Sequence, residues 1–285
     1  VGSWPAEYGQ AHTLAGEVET SGIGLHSGAV ARVRLGPSDR PGFWLGWLDQ
    51  PAIPPQRLGP SLVAETTLCT ALQLGDRRLA TVEHLLAALV GCGVTQALIQ
   101  VEGPELPLLD GSARPWVELI EAAGLHGLGT SAPLSPLRRP VTVHGGGGFV
   151  TAIPAEQVHL GAAIEFGEAA IGRQLFALPL TPQAFVAEVA PARTFGLRSQ
   201  VDQLRAAGLI RGGALDNALV CDGDRWLNPP LRFDDEPVRH KILDLLGDLA
   251  LIGLPRAQVF AYRGSHRLHT DLATALNAEL APLPA

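Results

Sequence analysis

The segment LRFDDEPVRHKILDLLGD, residues 231–248, constrains the fold more than any other stretch of the chain. Ile242, Leu243, Leu245, Leu246, Leu249 and Leu251 fall on most sides of a helix rather than along one stripe, and a helix of that kind is buried. His240, Asp244 and Asp248 recur at every fourth position. A rotation of about 100° per residue gathers them into a sector of roughly 80°. A lone His-x3-Asp is ordinarily a surface i,i+4 pair. The third acid and the apolar surroundings point instead to two carboxylates and an imidazole in a partly buried place, where charge needs a partner or a metal. Lys241 stands beside them, the only lysine in a chain whose other 20 basic residues are arginine. The position asks for a compact ammonium rather than a planar fork.

Composition narrows the function classes. A hydrophobic content of 46% with 17% charged residues describes a globular chain, and 285 residues suffice for one large domain or two ordinary ones. A net charge of −7 argues against a general nucleic-acid binder, which needs a basic face. An anionic small substrate stays open, because local arginines can serve it. Cys69, Cys92 and Cys221 are too few and too scattered for a disulfide framework or a paired-cysteine zinc site, and they suit a reducing cytosol. With no run of 18 apolar residues, no membrane span is expected. The opening VGSWPAEYGQAH has neither the basic nor the apolar region of a signal peptide.

Along the chain, residues 1–11 read as a loose tail. Strands are expected at 12–19 and 29–35, joined by the glycine-rich turn SGIGLHSG at 21–28. Residues 42–60 read as loop or edge strand. A hairpin is expected from 66–74 and 77–81, closed by Gly75-Asp76. Helices follow at 82–93, with Thr81 as N-cap, and at 113–124, with a strand at 95–103 between them. The Gly-, Ser- and Pro-rich stretch 126–140 is the expected linker, separating an N-terminal domain at 12–125 from a C-terminal one at 141–285. In the second half, strands are expected at 141–144, 149–153, 158–166, 217–222 and 258–264. Helices are expected at 181–189, 201–209, about 235–252 and 265–280. Strands and helices mix without strict βαβ alternation. That predicts α+β layers rather than a doubly wound sheet. No sequence repeat links the halves.

A second place with unusual chemistry is Thr81-Val82-Glu83-His84. Neighbours on a helix cannot share a face, so His84 can bind a metal while Glu83 points beside it. A metallohydrolase needs that division: a ligand, and a carboxylate that takes a proton from water. The plainer reading is an acid favoured at a helix N-terminus and a core histidine. His84, His240 and Asp244 together would make two imidazoles and a carboxylate with an open position, which suits catalytic zinc and equally non-haem iron(II). His266, after Gly264-Ser265 at a strand-to-helix turn, is well exposed for proton transfer near neutral pH. His269 and Asp271 read as solvated helix residues.

Several segments taken together are more specific than any one. TTLCT (66–70), TVEHLLAALVGCGV (81–94), PELPLLDGSARPWV (104–117), ARTFG (192–196), GGALDNALV (212–220), LRFDDEPVRHKILDLLGDL (231–249) and the Gly264-Ser265-His266 turn resemble the UDP-3-O-acyl-N-acetylglucosamine deacetylase family. They stand in the family's order and span about residues 12–280; GIGLHSG (22–28) resembles its N-terminal motif. The resemblance implies a zinc-dependent amidase that removes acetate from UDP-3-O-(3-hydroxyacyl)-N-acetylglucosamine, the committed step towards lipid A, at a site between two α+β domains, each a helix layer packed on a mixed or antiparallel sheet. It implies zinc ligands at His84, His240 and Asp244, a general base at Glu83, and a general acid at His266 held charged by Asp248. Lys241 and Thr194 take the family's places for engaging the substrate carbonyl and the developing oxyanion. Substrate contacts are implied at His26 and Phe195. An insert at about 197–231, with Leu197, Val201, Leu204, Leu209, Ile210 and Leu215, is expected to shape an apolar passage for the acyl chain. The chain departs from the family at Ser199 and Gln200, where an acid is frequent, and at His269, where asparagine is common.

The expected partner is therefore a nucleotide-sugar bearing an acyl chain, with no nucleic acid and no integral membrane segment. The expected state is a monomer in the cytoplasm of a bacterium with a Gram-negative-type envelope. A catalytically silent homologue that binds nucleotide-sugar or acyl chains has no need of both proton-transfer groups. An iron oxygenase built on the same triad leaves Glu83, Lys241 and His266 without work.

Overall fold

Alternating apolar residues give each strand one face for a core, and two large mixed sheets result beside three smaller ones among the described residues. The computed structural model describes residues 4–132 and 134–280; residues 1–3 of the expected tail, Pro133 of the expected linker and 281–285 of the expected C-terminal domain lie outside them. The first sheet orders its strands Val18–Ile23, Val30–Gly36, Gln96–Glu102, Gly42–Trp47 and Gln56–Arg57. Gly42–Trp47 runs parallel to Gln96–Glu102; the other pairs are antiparallel. The second sheet orders Val141–Gly145, Gly148–Pro154, Pro255–Tyr262, His159–Glu165 and Arg173–Pro179, with Ser135–Pro136 added off that path. Here His159–Glu165 runs parallel to Pro255–Tyr262. The wiring is the same in both halves: four strands in chain order, then one inserted between the second and the third.

Among the described residues there are six α-helices: α1 Glu83–Gly91, α2 Arg114–Ala123, α3 Pro182–Ala184, α4 Arg198–Ala206, α5 Glu236–Leu249 and α6 His266–Leu280. The chain is thus α+β, as its mixed order of elements predicts. In each half the inserted strand follows a buried helix, α1 or α5, and α1 packs along α5. A Cβ on Gly247 would sit 2.1 Å from the carbonyl oxygen of Glu83, so only glycine lets the start of α1 come this close to α5. α5 is buried almost throughout, as its apolar wrap requires, and one continuous hydrophobic core spans both halves. Among the described residues no helix is long and apolar enough to cross a membrane.

Several elements differ from the sequence reading. Residues 42–60 are not all loop or edge: Gly42–Trp47 is an interior strand with Phe43, Leu45 and Trp47 buried. The expected strand at 12–19 breaks into Gln10–Leu14 and Val18–Ile23, so part of the tail is ordered. Gln10–Leu14 pairs with Leu125–Ser131, which gives the expected linker a strand as well. Thr81 does not cap α1. Its backbone is left-handed (φ 58°) and its hydroxyl donates to Glu105 at 2.8 Å, so Val82 stands at the N-cap without a side-chain bond. The hairpin is shorter than expected, Ala71–Leu74 with Arg77–Leu79. The segment 181–189 opens as a helix, with the Thr181 hydroxyl accepting from the Ala184 N–H, and then widens into a π-helical turn over Phe185–Val189.

Candidate metal centre

The first turn of α1 carries Glu83 and His84, and the middle of α5 carries His240 and Asp244. The crossing at Gly247 brings these two stretches together. His84, His240 and Asp244 are buried, and one donor atom from each lies within 4.8 Å of the others. The Nε2 atoms of His240 and His84 stand 3.3 and 3.8 Å from Asp244 Oδ1. That oxygen is buried with no hydrogen-bond partner, whereas Oδ2 accepts from Lys241 Nζ at 2.8 Å. His240 is oriented by a bond of 3.0 Å between its Nδ1 and the Ala192 carbonyl, which leaves Nε2 free for the cluster. Burial lowers the pKa of His84 to about 3, aided by the His240 charge, and burial also lowers that of His240. Burial alone would raise that of Asp244, but Lys241 and the neighbouring histidines hold it well below the usual carboxylate range. Two neutral imidazoles and an ionised carboxylate with one unsatisfied oxygen form a donor set that fits a divalent cation.

Glu83 and His266 flank this set, with Glu83 Oε1 3.8 Å from His266 Nε2. Glu83 Oε2 accepts the Thr70 N–H at 3.1 Å. Burial pushes its carboxyl up to about 8, against the opposing pull of His266. His266 gives its Nδ1 to Asp248 Oδ2 at 2.9 Å. Burial works against its charge, but Asp248 and Glu83 prevail and raise its pKa to about 9. Asp248 is fully buried and also bonds the Thr70 hydroxyl and His269 Nδ1. His269 is therefore no solvated helix residue: it is buried against Asp248, and Asp271 alone of that pair is exposed. The signal was available, since positions 266 and 269 share a helix face.

A cavity of about 100 Å³ opens over the cluster, lined by Glu83, His84, His240, Asp244, Lys241 and His266 together with Thr194, Phe195 and His26. Thr194 and Phe195 come from the segment leading into Phe195–Leu197; Lys241 Nζ lies 5.7 Å from the Phe195 ring. A second, mostly apolar cavity of about 180 Å³ shares His26, Thr194 and Phe195 with the first and continues between Val201, Leu204, Ile210 and Leu215. Leu197 stands apart from both, packed into the core, and Leu209 is exposed. Sequence reasoning missed Glu105, whose buried carboxylate accepts the His26 and Ser27 N–H groups and the Thr81 hydroxyl, and so folds the GIGLHSG turn over the site. It also missed Cys69, which lines the cavity with its thiol pushed by burial up to about 12.

The sequence profile of the family described as UDP-3-O-acyl N-acetylglycosamine deacetylase matches residues 11–278. A UDP-3-O-acyl-N-acetylglucosamine deacetylase of Thermosynechococcus vestitus is 49% identical over 269 residues, 93% of either chain. The protein of that name from Nostoc sp. is 47% identical over 269 residues, 92% of this chain and 96% of its own. A protein of Arabidopsis thaliana named probable UDP-3-O-acyl-N-acetylglucosamine deacetylase 1, mitochondrial, is 40% identical over 289 residues, 94% of this chain and 88% of its own. With the profile matched over residues 11–278 and relatives up to 49% identical over more than nine-tenths of the chain, the chain belongs to the UDP-3-O-acyl N-acetylglycosamine deacetylase family.

Proposed function

We propose that this chain hydrolyses the 2-acetamido group of UDP-3-O-(3-hydroxyacyl)-N-acetylglucosamine, releasing acetate in the committed step of lipid A biosynthesis. The observation that carries the reading is the three-donor cluster flanked by Glu83 and His266, which stand 3.8 Å apart, beneath a small cavity that adjoins an apolar one. His84, His240 and Asp244 would hold zinc, or iron(II), which the same donors accept. Bound there, the cation would acidify water and polarise the amide carbonyl. Glu83 takes a proton from the attacking water as its oxygen bonds to the acetyl carbon. The carbon–nitrogen bond then breaks, its electron pair passes to nitrogen, and His266 Nε2 protonates the leaving amine. Asp248, on His266 Nδ1, holds the ring in place and favours its charged form before transfer. Lys241 has three donor protons, so it can keep its bond to Asp244 and still donate to the developing oxyanion. The Thr194 hydroxyl is the second such donor, and one donor is worth about 3 kcal/mol of barrier.

His26 and Phe195, shared by the two cavities, would contact the sugar and the start of the acyl chain, with Leu204 and Ile210 beside the chain further along. We assign Leu197 to support of that wall from the core. The same reading divides the chain into two units on either side of residues 126–140, with the site between them. It makes the protein a monomer of the bacterial cytoplasm, in a cell with a Gram-negative-type envelope; three unpaired cysteines and the relatives' cyanobacterial sources support that setting.

Mass spectrometry of the substrate after incubation with the metal-assayed protein tests the reaction. We expect loss of the acetyl group, slowed by about 10²–10⁴-fold in both Glu83→Ala and His266→Ala with the fold retained. No acetate release by a folded, metal-loaded parent chain sinks the proposal.

A further inference from the structure

The LRFDDEP segment supplies a group that the chemistry above does not use. Glu236, the first residue of α5, is fully buried. An acid at this position ordinarily answers the helix dipole. This one bonds two other segments instead. Its Oε1 accepts the Arg193 main-chain N–H and Arg193 Nε, both at 2.9 Å. Its Oε2 accepts Arg193 Nη2 at 3.1 Å and the Arg232 main-chain N–H at 2.6 Å. An ion pair alone would need only the guanidinium fork. Three of these four bonds go to Arg193, one of them to its main-chain N–H, so the carboxylate ties down the backbone of residues 191–194.

That backbone is held at further points. The Pro191 carbonyl accepts Arg232 Nη1 at 2.7 Å, and the Ala192 carbonyl accepts His240 Nδ1 at 3.0 Å. The Thr194 N–H donates to Gly111 and its carbonyl accepts the Leu219 N–H, both at 2.8 Å. Glu236 and His240 are one helical turn apart, so they lie on one face of α5. They grip adjacent residues of the same segment, Glu236 at the Arg193 N–H and His240 at the Ala192 carbonyl.

We propose that Glu236 is a positioning residue: by locking residues 191–194 onto α5 it sets the Ala192 carbonyl that orients His240, and it sets Thr194 at the edge of the cavity. The inference rests on the reading of His240 as a metal donor. Displacing the segment would free the His240 ring to turn and to exchange which nitrogen carries its proton, and partners of this kind are worth about 10–100-fold in metal affinity.

Zinc titration of the metal-stripped chain against a chelating indicator, with ¹⁵N spectra of its histidine rings, tests this on Glu236→Gln. Glu188→Gln, which removes the exposed carboxylate paired with Arg239 of the same helix, is the comparison. We expect zinc affinity to fall about 10–100-fold in Glu236→Gln, with kcat lowered and KM little changed. The His240 ring should lose its single Nδ1–H form in the metal-free chain, and Glu188→Gln should alter none of these. A folded Glu236→Gln chain with the parent's zinc affinity and His240 spectrum overturns the proposal. If that variant does not fold, Arg193→Lys, which keeps the charge and removes the fork, should move both readings the same way; no movement in either overturns it equally. A parent chain that binds no zinc defeats the metal reading itself, and the His240 spectra then decide the positioning role alone.

Discussion

Asp248 serves three partners at once, the Thr70 hydroxyl and the Nδ1 atoms of His266 and His269, from a position without solvent. Such a site makes the fold sensitive to pH, in a direction that can be worked out. Above pH 6.5 the unfolded chain has released protons that the metal-free folded chain keeps, on Glu83 up to about 8 and on His266 up to about 9. When the native state binds more protons, stability falls as pH rises. His84, His240, His269 and His26 are all held below 6.5, so near pH 6.5, where their unfolded imidazoles still bind protons, they oppose this trend, and they drop out above about pH 7.5. The melting temperature of the metal-free chain should therefore decline between about pH 7.5 and 9. Glu83→Gln should flatten the lower part of that decline and His266→Gln the whole window's upper end. A melting temperature that rises across the window contradicts this electrostatic picture. At this scale much was legible, because charged residues inside an apolar helix break the pattern that core packing demands. Glu105 and Glu236 were not: each is a single acid in a loop or at a helix start, where acids are ordinary.

Among the elements, the crossing of α1 and α5 decides whether the donors meet. Gly247→Ala sets two effects against each other. Helix propensity favours alanine by about 0.5–1 kcal/mol. A Cβ placed 2.1 Å from the Glu83 carbonyl oxygen must force the helices apart, and overpacking costs about 1–3 kcal/mol or more. Packing wins, so denaturant melts should show a net loss of about 1–2 kcal/mol, accompanied by weaker metal binding. A variant as stable as the parent would mean that the helices can part at no cost. The buried helices themselves were readable from their apolar wrap. Gly42–Trp47 was misread because glycine and proline flank it, while its interior place comes from a parallel partner about 50 residues on in the chain.

Across the whole molecule, the shared wiring of the two sheets was invisible to sequence comparison within the chain, since topology lies in which strands pair and not in which residues they use. The donors, by contrast, bridge the halves, so a bound cation should stabilise the molecule as a unit. Free zinc at 100 times its dissociation constant adds about 2.7 kcal/mol. For a chain of this size that raises the melting temperature by roughly 5–10 °C, an increase that a chelator should reverse. Equal melting curves with and without zinc would place the cation elsewhere or nowhere. The spread of the site along the chain also bears on how the protein is made. Some 180 residues separate His84 from His266, and a ribosome adding roughly 5–20 residues/s needs on the order of 10–40 s to span them. For most of that interval the nascent chain lacks part of the donor set, complete only at Asp244, and throughout it lacks His266. Activity arrives late in synthesis and in one step, when α6 docks on α5.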